Sequence, residues 1–148
     1  GNMGRRQARK WRAGMKSVRY LLDTSICIHA MQGNPALARR FSECYFGDLL
    51  LSAISLAELE FGVIAPGGDG AARRAALDAV LNDLVVLPFD AAAARAYAAV
   101  RRADPQRTRN ALDKLIGAHA LAVEATLVTA NPADFSRIPG LQVENWAS

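Results

Sequence analysis

Four short stretches of this 148-residue chain bring together side chains able to do chemistry. Asp23-Thr24-Ser25 follows the apolar run Tyr20-Leu21-Leu22, Glu58 closes Ser55-Leu56-Ala57-Glu58, Asp113 closes Asn110-Ala111-Leu112-Asp113, and Asn131 opens Asn131-Pro132-Ala133-Asp134. Asp23, Glu58, Asp113 and Asn131 form a hard, all-oxygen donor set, with only Lys114 as a cation close by in sequence. Carboxylates gathered in this way repel and raise one another's pKa unless a divalent cation neutralises them. Mg²⁺ suits such a set, because it takes oxygen ligands and keeps several waters for exchange with substrate. The chemistry this supports is hydrolysis of a phosphodiester by a metal-activated water, with the same metal stabilising the departing oxygen.

The same residues also admit a purely structural reading. Ser55-x-x-Glu58, Asn110-x-x-Asp113 and Asn131-Pro132-x-Asp134 each place a capping residue before an acid, as a capping box does. Pro132 then takes the favoured first helical position, and Asp134 reads as part of that cap rather than as a site acid. Such acids complement a helix dipole by about 0.3–1 kcal/mol each without any catalytic duty, and Asp23 can serve as a simple N-cap. Against this, Asp23 stands at the end of a central apolar strand, where a carboxylate near the core needs a partner.

The elements that position these groups follow from periodicity. Residues 18–22, 49–53, 84–87, 126–130 and 141–144 read as strands, most of them too apolar for a sheet with one wet face. Helical patterns over 25–31, 35–46, 56–64, 70–82, 90–103 and 111–124 alternate with them, which indicates an α/β three-layer fold with a mostly parallel sheet. Pro66-Gly67-Gly68 and Asp104-Pro105-Gln106 mark loops. In such sheets the ligand crevice lies outside the carboxyl ends of the strands, near a topological switch point. The helix starts that follow these strands can all face that edge.

Composition sets the outer limits. At 51% hydrophobic and 22% charged residues the chain is one ordinary globular domain. The net charge of +4 is misleading: seven of the 18 basic residues lie in the first 19 positions, which hold no acid, and the other 11 face all 14 acids, leaving the body at −3. Residues 1–17 are therefore read as a basic N-terminal tail, either a cloning remnant or sequence upstream of a true start, and residues 18–148 as the domain. The longest uncharged stretch, residues 24–38, is broken by Gly33-Asn34-Pro35 and is too short to span a bilayer. Lys16 and Arg19 interrupt the only candidate signal peptide, so a cytoplasmic location is expected. Cys27 and Cys44 have neither CxxC spacing nor a histidine cluster and read as buried packing residues. His29 and His119 likewise read as packed imidazoles.

Tyr20-Leu21-Leu22-Asp23-Thr24-Ser25, Ser55 through Gly62, Leu112 through Ala120 and Leu127 through Phe135 resemble, in order, the motifs of PIN-domain ribonucleases. The ending Ile138-Pro139-Gly140-Leu141-Gln142-Val143-Glu144-Asn145-Trp146 resembles the VapC toxin branch. The resemblance spans residues 18–146. It implies a PIN-like three-layer α/β/α sandwich and a Mg²⁺- or Mn²⁺-dependent endoribonuclease acting as the toxin of a type II toxin–antitoxin pair. It further implies a homodimer, silenced by a small antitoxin with a DNA-binding part. Asp23, Glu58 and Asp113 match the family's acidic positions, and Thr24 matches a family hydroxyl. Asn131 falls where many members carry a further Asp, which leaves the second metal position weaker.

By role, Asp23 and Asp113 are expected as direct metal ligands. Glu58 is expected as a ligand through water or as the group orienting the attacking water, and Asn131 as a neutral hydrogen-bonding neighbour. Arg101, Arg102, Arg107 and Arg109 can meet RNA phosphates, although a solvated face explains them more simply. Glu60 reads as a surface residue, and Phe61 and Tyr97 as packing aromatics. The competing class is a catalytically weak PIN-like binding module acting mainly within an antitoxin–DNA complex. A phosphohydrolase of the haloacid dehalogenase type is disfavoured, because Asp23-Thr24-Ser25 lacks a second Asp, and no Walker-type phosphate loop is present.

Overall fold

Leu21, Leu22, Leu49, Leu51, Leu127 and Val128 are sealed from solvent. A sheet achieves this only when helices cover both of its faces. The computed structural model describes residues 18–148 and shows that arrangement; the basic tail expected over residues 1–17 lies outside the described residues. In chain order the elements are β1 (Tyr20–Leu22), α1 (Thr24–Met31), α2 (Pro35–Ser42), β2 (Leu49–Ser52), α3 (Ala53–Ile64) and α4 (Gly70–Leu81). There follow β3 (Val85–Leu87), α5 (Ala91–Ala103), α6 (Ala111–Ala122), β4 (Thr126–Val128), a 3-10 turn (Pro132–Phe135) and β5 (Val143–Glu144).

The five strands pair in the order β3-β2-β1-β4-β5, and every pairing is parallel. Leu21, Leu50 and Leu127 point to one face, where α5, α6 and the 3-10 turn supply Val100, Ile116 and Phe135. Leu22, Leu49, Leu51 and Val128 point to the other, where α1–α4 supply Ile26, Leu37, Leu59 and Leu77. This is the three-layer α/β/α sandwich expected from the alternation. The chain builds outward from β1 through β2 to β3, then crosses back to β4 on the far side of β1. The switch point therefore lies between β1 and β4.

Local chemistry fixes most helix ends. Asp23, Asn34, Ser52, Asp69 and Asp90 each accept a hydrogen bond from an amide of the helix they open. The C-terminus of α3 is closed by Arg73, whose guanidinium donates to the carbonyls of Val63, Ala65 and Gly67. Gly117 in α6 admits Ile138, because a Cβ at that position would collide with Ile138 Cδ1. Trp146 is buried edge-on to Tyr20 and Phe41 and donates to Glu144, which closes the C-terminal segment over β1.

Several boundaries differ from expectation. The helix expected over 35–46 ends at Ser42, because Asp48 Oδ2 takes the Tyr45 amide at 2.9 Å and Gly47 turns the chain at φ 91°. The helix expected from residue 56 starts at Ala53, since Ser52 ends β2 and caps α3 without any intervening loop. Cys27 is buried as expected, whereas Cys44 is only partly so and donates to the Arg40 carbonyl. Phe61 is not a packing residue: it is 66% exposed, beside Ile64 at 79%. Among the described residues no helix is long and apolar enough to cross a membrane.

Candidate active site

Asp23 stands at the switch point. Its backbone amide donates to the Val128 carbonyl of β4 at 3.0 Å, which holds the end of β1 against that strand. Its Oδ1 accepts from Ser25 Oγ at 2.7 Å and from the Ile26 amide at 3.0 Å, and its Oδ2 accepts from Thr129 Oγ1 at 2.6 Å. A carboxylate offers about four acceptor positions, so the network occupies all but about one of them. Ser25 Oγ and Thr129 Oγ1 in turn accept from the Ala130 and Asn131 amides. The two hydroxyls thus stitch the ends of β1 and β4 together through Asp23. Burial raises the Asp23 pKa above its ordinary value, while the hydroxyl and amide donors pull it down.

Glu58 reaches this edge from the second turn of α3, one turn later than the sequence reading placed it. Its Oε1 accepts from Thr24 Oγ1 at 2.7 Å. Asp113 lies in the first turn of α6, the end of a helix dipole that favours a carboxylate. Its pKa is nevertheless pushed up to about 6, by burial first and then by the charges of Asp134, Asp23 and Glu58. The three predicted acids therefore share one electrostatic neighbourhood at the carboxyl end of the sheet. Asn131, exposed, leads from β4 into the 3-10 turn, and its amide rather than its side chain joins the Asp23 network.

None of the three capping boxes forms. Ser55 is inside α3, with Ser52 as the cap, and its buried hydroxyl has no hydrogen-bond partner. Asn110 and Asn131 make no side-chain cap bond to the elements they open. Pro132 does occupy the start of its element, although that element is a 3-10 turn. Asp134 is exposed and acts on Asp113 more strongly than Asp23 or Glu58 does, so its influence exceeds that of a cap.

Lys114, the cation nearest in sequence, does not serve the acids. It is buried and its Nζ donates to the carbonyls of Asp104 and Gln106 and pairs with the Asp104 carboxylate at 3.5 Å. Burial works against the Asp104 charge, but the hydrogen bond and charge of Arg109, with Lys114, hold its pKa below the ordinary value. Sequence reasoning missed this pair, which fastens the loop into α6, and missed Ser25 and Thr129 as partners of Asp23. A hydroxyl one residue past β4 carries no signature of its own until the pairing of β1 with β4 is known.

Among the other candidates, His119 is a packed imidazole, bonded to Ser52 Oγ at 2.8 Å and edge-on to Phe89. Tyr97 packs on the α5–α6 side of the sheet. Glu60 pairs with Arg74 at the surface. Arg109 is engaged by Asp104 and Arg101 lies over Tyr97, while Arg102 and Arg107 are exposed.

The donor set is of the kind a hard divalent cation accepts: carboxylate oxygens, buried or partly buried, with Lys114, the one lysine among the described residues, drawn off to Asp104. Among the described residues no three His, Cys, Asp or Glu side chains stand close enough together to hold a metal ion by themselves.

The fold and this acidic edge define a PIN-type domain, and the profile of the PIN domain family matches residues 20–141. Ribonuclease VapC2 of Rickettsia felis is 35% identical, covering 86% of this chain and 97% of that protein. The tRNA(fMet)-specific endonuclease VapC of Shigella flexneri is 31% identical, covering 88% and 99%. The crystal structure of VapBC2 from Rickettsia felis bound to a DNA fragment from their promoter superposes with a TM-score of 0.78 at 32% identity, covering 87% of this chain and 99% of that one. The chain belongs to the PIN-domain family, in its VapC branch.

Proposed function

We propose that this protein is a Mg²⁺- or Mn²⁺-dependent endoribonuclease and the toxin of a type II toxin–antitoxin pair, acting in the cytoplasm. The observation that carries the reading is the gathering of Asp23, Glu58 and Asp113 at the carboxyl end of the parallel sheet, two of them fixed by hydroxyl donors and Lys114 turned away to Asp104, although burial and mutual charge raise the Asp113 pKa. Acids held together at such a cost suit a site that is completed by a cation. The ribonuclease and tRNA endonuclease activities of the Rickettsia and Shigella relatives support RNA as the substrate.

In this reading Asp23 and Asp113 would hold a divalent metal directly, and the chemistry it would supply is activation of water and stabilisation of the departing oxygen. Glu58, steadied by Thr24, is positioned to hold a coordinated water or to orient the attacking one. Asn131 contributes an uncharged carbonyl and amide beside them. The hydroxyls of Ser25 and Thr129 leave Asp23 about one free acceptor position and fix its direction before substrate arrives, which is the preorganisation that electrostatic catalysis needs.

A small DNA-binding antitoxin is the partner this reading requires, and the VapBC complex from Rickettsia felis supports it. Phe61 and Ile64 offer it apolar surface on the helix that carries Glu58. An arginine from that partner would pair with the acids in bidentate fashion. The working unit is a homodimer of the toxin. The DNA-bound form of the Rickettsia neighbour also favours a second reading, a catalytically weak module that works inside the repressor complex.

The two readings part on one experiment. The purified chain with Mg²⁺ is expected to cleave RNA, and Asp23→Asn and Asp113→Asn to abolish cleavage while keeping the fold. Expression without a partner is expected to stop growth, and expression of Asp23→Asn to permit it. If both variants cleave like the parent, the metal-site assignment is wrong; if the parent cleaves nothing and growth is unaffected, the binding-module reading replaces the nuclease.

A further inference from the structure

Three acids define the proposed site, but they are not held alike. Asp23 is gripped by three donors and Glu58 by Thr24. The Asp113 carboxylate accepts no hydrogen bond among the described residues, so only the start of α6 determines where it stands. That start is unlike the others. Of the six α-helices among the described residues, α6 is the one whose opening residue makes no side-chain cap bond. Asn110 instead adopts a left-handed backbone, φ 52° and ψ 39°, which asparagine tolerates better than most residues. Its side chain points away from its own helix, and Nδ2 donates to the Asp134 carbonyl at 3.2 Å, across 24 residues.

We propose that Asn110 is a positioning residue: its bond to Asp134 joins the start of α6 to the turn after β4, and so sets where Asp113 stands relative to Asp23 and Asn131. The proposal rests on the nuclease reading above. The joint is one of two fastenings that bracket Asp113. On the other side Lys114, the next residue, is drawn to Asp104 and Gln106. Further along α6, Gly117 and Ile116 pack against Ile138 and Phe135, but among the described residues the Asn110 bond is the side-chain hydrogen bond that ties the start of α6 to the turn. A turn residue chosen merely to tolerate a left-handed backbone would need no such bond, and glycine would serve at that position at least as well.

That difference supplies the test. Asn110→Gly keeps the backbone conformation and removes the bond; Asn110→Ala removes the bond and strains the backbone. Asn110→Gly is expected to melt within about 2 °C of the parent, because Asn to Gly at a helix start costs little. The amides of Asp134 and Ser136 are expected to exchange faster with solvent. Mn²⁺ binding by calorimetry is expected to weaken about tenfold and RNA cleavage to slow about tenfold, since small displacements of a reacting group are costly. Asn110→Ala is expected to show the same losses with a melting temperature lower by about 4 °C. Parental exchange, Mn²⁺ affinity and cleavage in Asn110→Gly would overturn the positioning role alone. A parent that neither binds Mn²⁺ nor cleaves RNA would overturn the nuclease reading beneath it.

Discussion

Thr24 Oγ1 and Glu58 Oε1 lie 2.7 Å apart, so the first residue of α1 holds the acid of α3 across the edge of the sheet. The bond sets the direction of Glu58 without neutralising it, and it is a different duty from a helix cap, which Ser52 already performs. Charge and position can therefore be separated by mutation.

Glu58→Gln retains an acceptor for Thr24 and loses only the charge. Its expected effect is an unchanged melting temperature with cleavage reduced about 100-fold or more, the scale of a lost acid–base or water-orienting group. Full activity in a single-turnover assay would show that the Glu58 charge takes no part in the reaction.

Thr129→Val replaces a fully buried hydroxyl by a methyl group of similar size, leaving Asp23 Oδ2 and the Asn131 amide without their partner. Urea unfolding is expected to show a loss of about 1–3 kcal/mol, the cost of stranding buried polar groups. Thr129→Ser keeps the donor and is expected to recover most of the stability and of the cleavage rate.

His119 gives the fold a pH dependence of defined sign. Burial lowers its pKa below the ordinary 6.5, with Asp90 pulling the other way. The unfolded chain therefore takes up a proton first as pH falls, so this residue's stabilisation is present above about 6.5 and is lost on acidification below it. Asp23 and Asp113, with raised pKa values, act in the opposite direction. The measurement is the difference between the parent and His119→Gln in unfolding free energy at pH 7.5 and 5.5. The gap is expected to narrow at the lower pH, and a constant gap would show that the imidazole does not titrate as its burial requires.

Asn131→Asp adds a charge beside the acids, where the parent offers only a carbonyl. Metal binding without RNA is expected to tighten, most visibly for Mn²⁺ in a calorimetric titration. Unchanged affinity and stoichiometry would place Asn131 outside the metal site.

The layers and the acids were legible in the sequence because both follow from patterns with a period. Leu49-Leu50-Leu51 is apolar on both faces, as only a doubly covered strand can be, and it lies at the sheet's interior beside β1. Asp23, Glu58 and Asp113 follow or precede such elements at fixed offsets, so the strand order alone brings them to one edge. What could not be read were bonds between distant segments. Thr129 meets Asp23 across 106 residues, and Asn110 meets Asp134 through a backbone turn that sequence does not announce. The capping boxes misled for a related reason. Spacing cannot tell whether a helix begins at the polar residue or, as in α3, a few residues before it.

The crossover from β3 back to β4 has a consequence for the order in which the protein is made. A nascent chain exposes Asp23 and Glu58 early, yet Asp113 and the strand that braces Asp23 are translated only after α5. Until residue 135 has cleared the ribosome there is no Thr129 to orient Asp23 and no turn for Asn110 to hold. In the nuclease reading the site is thus fully assembled only near the end of synthesis.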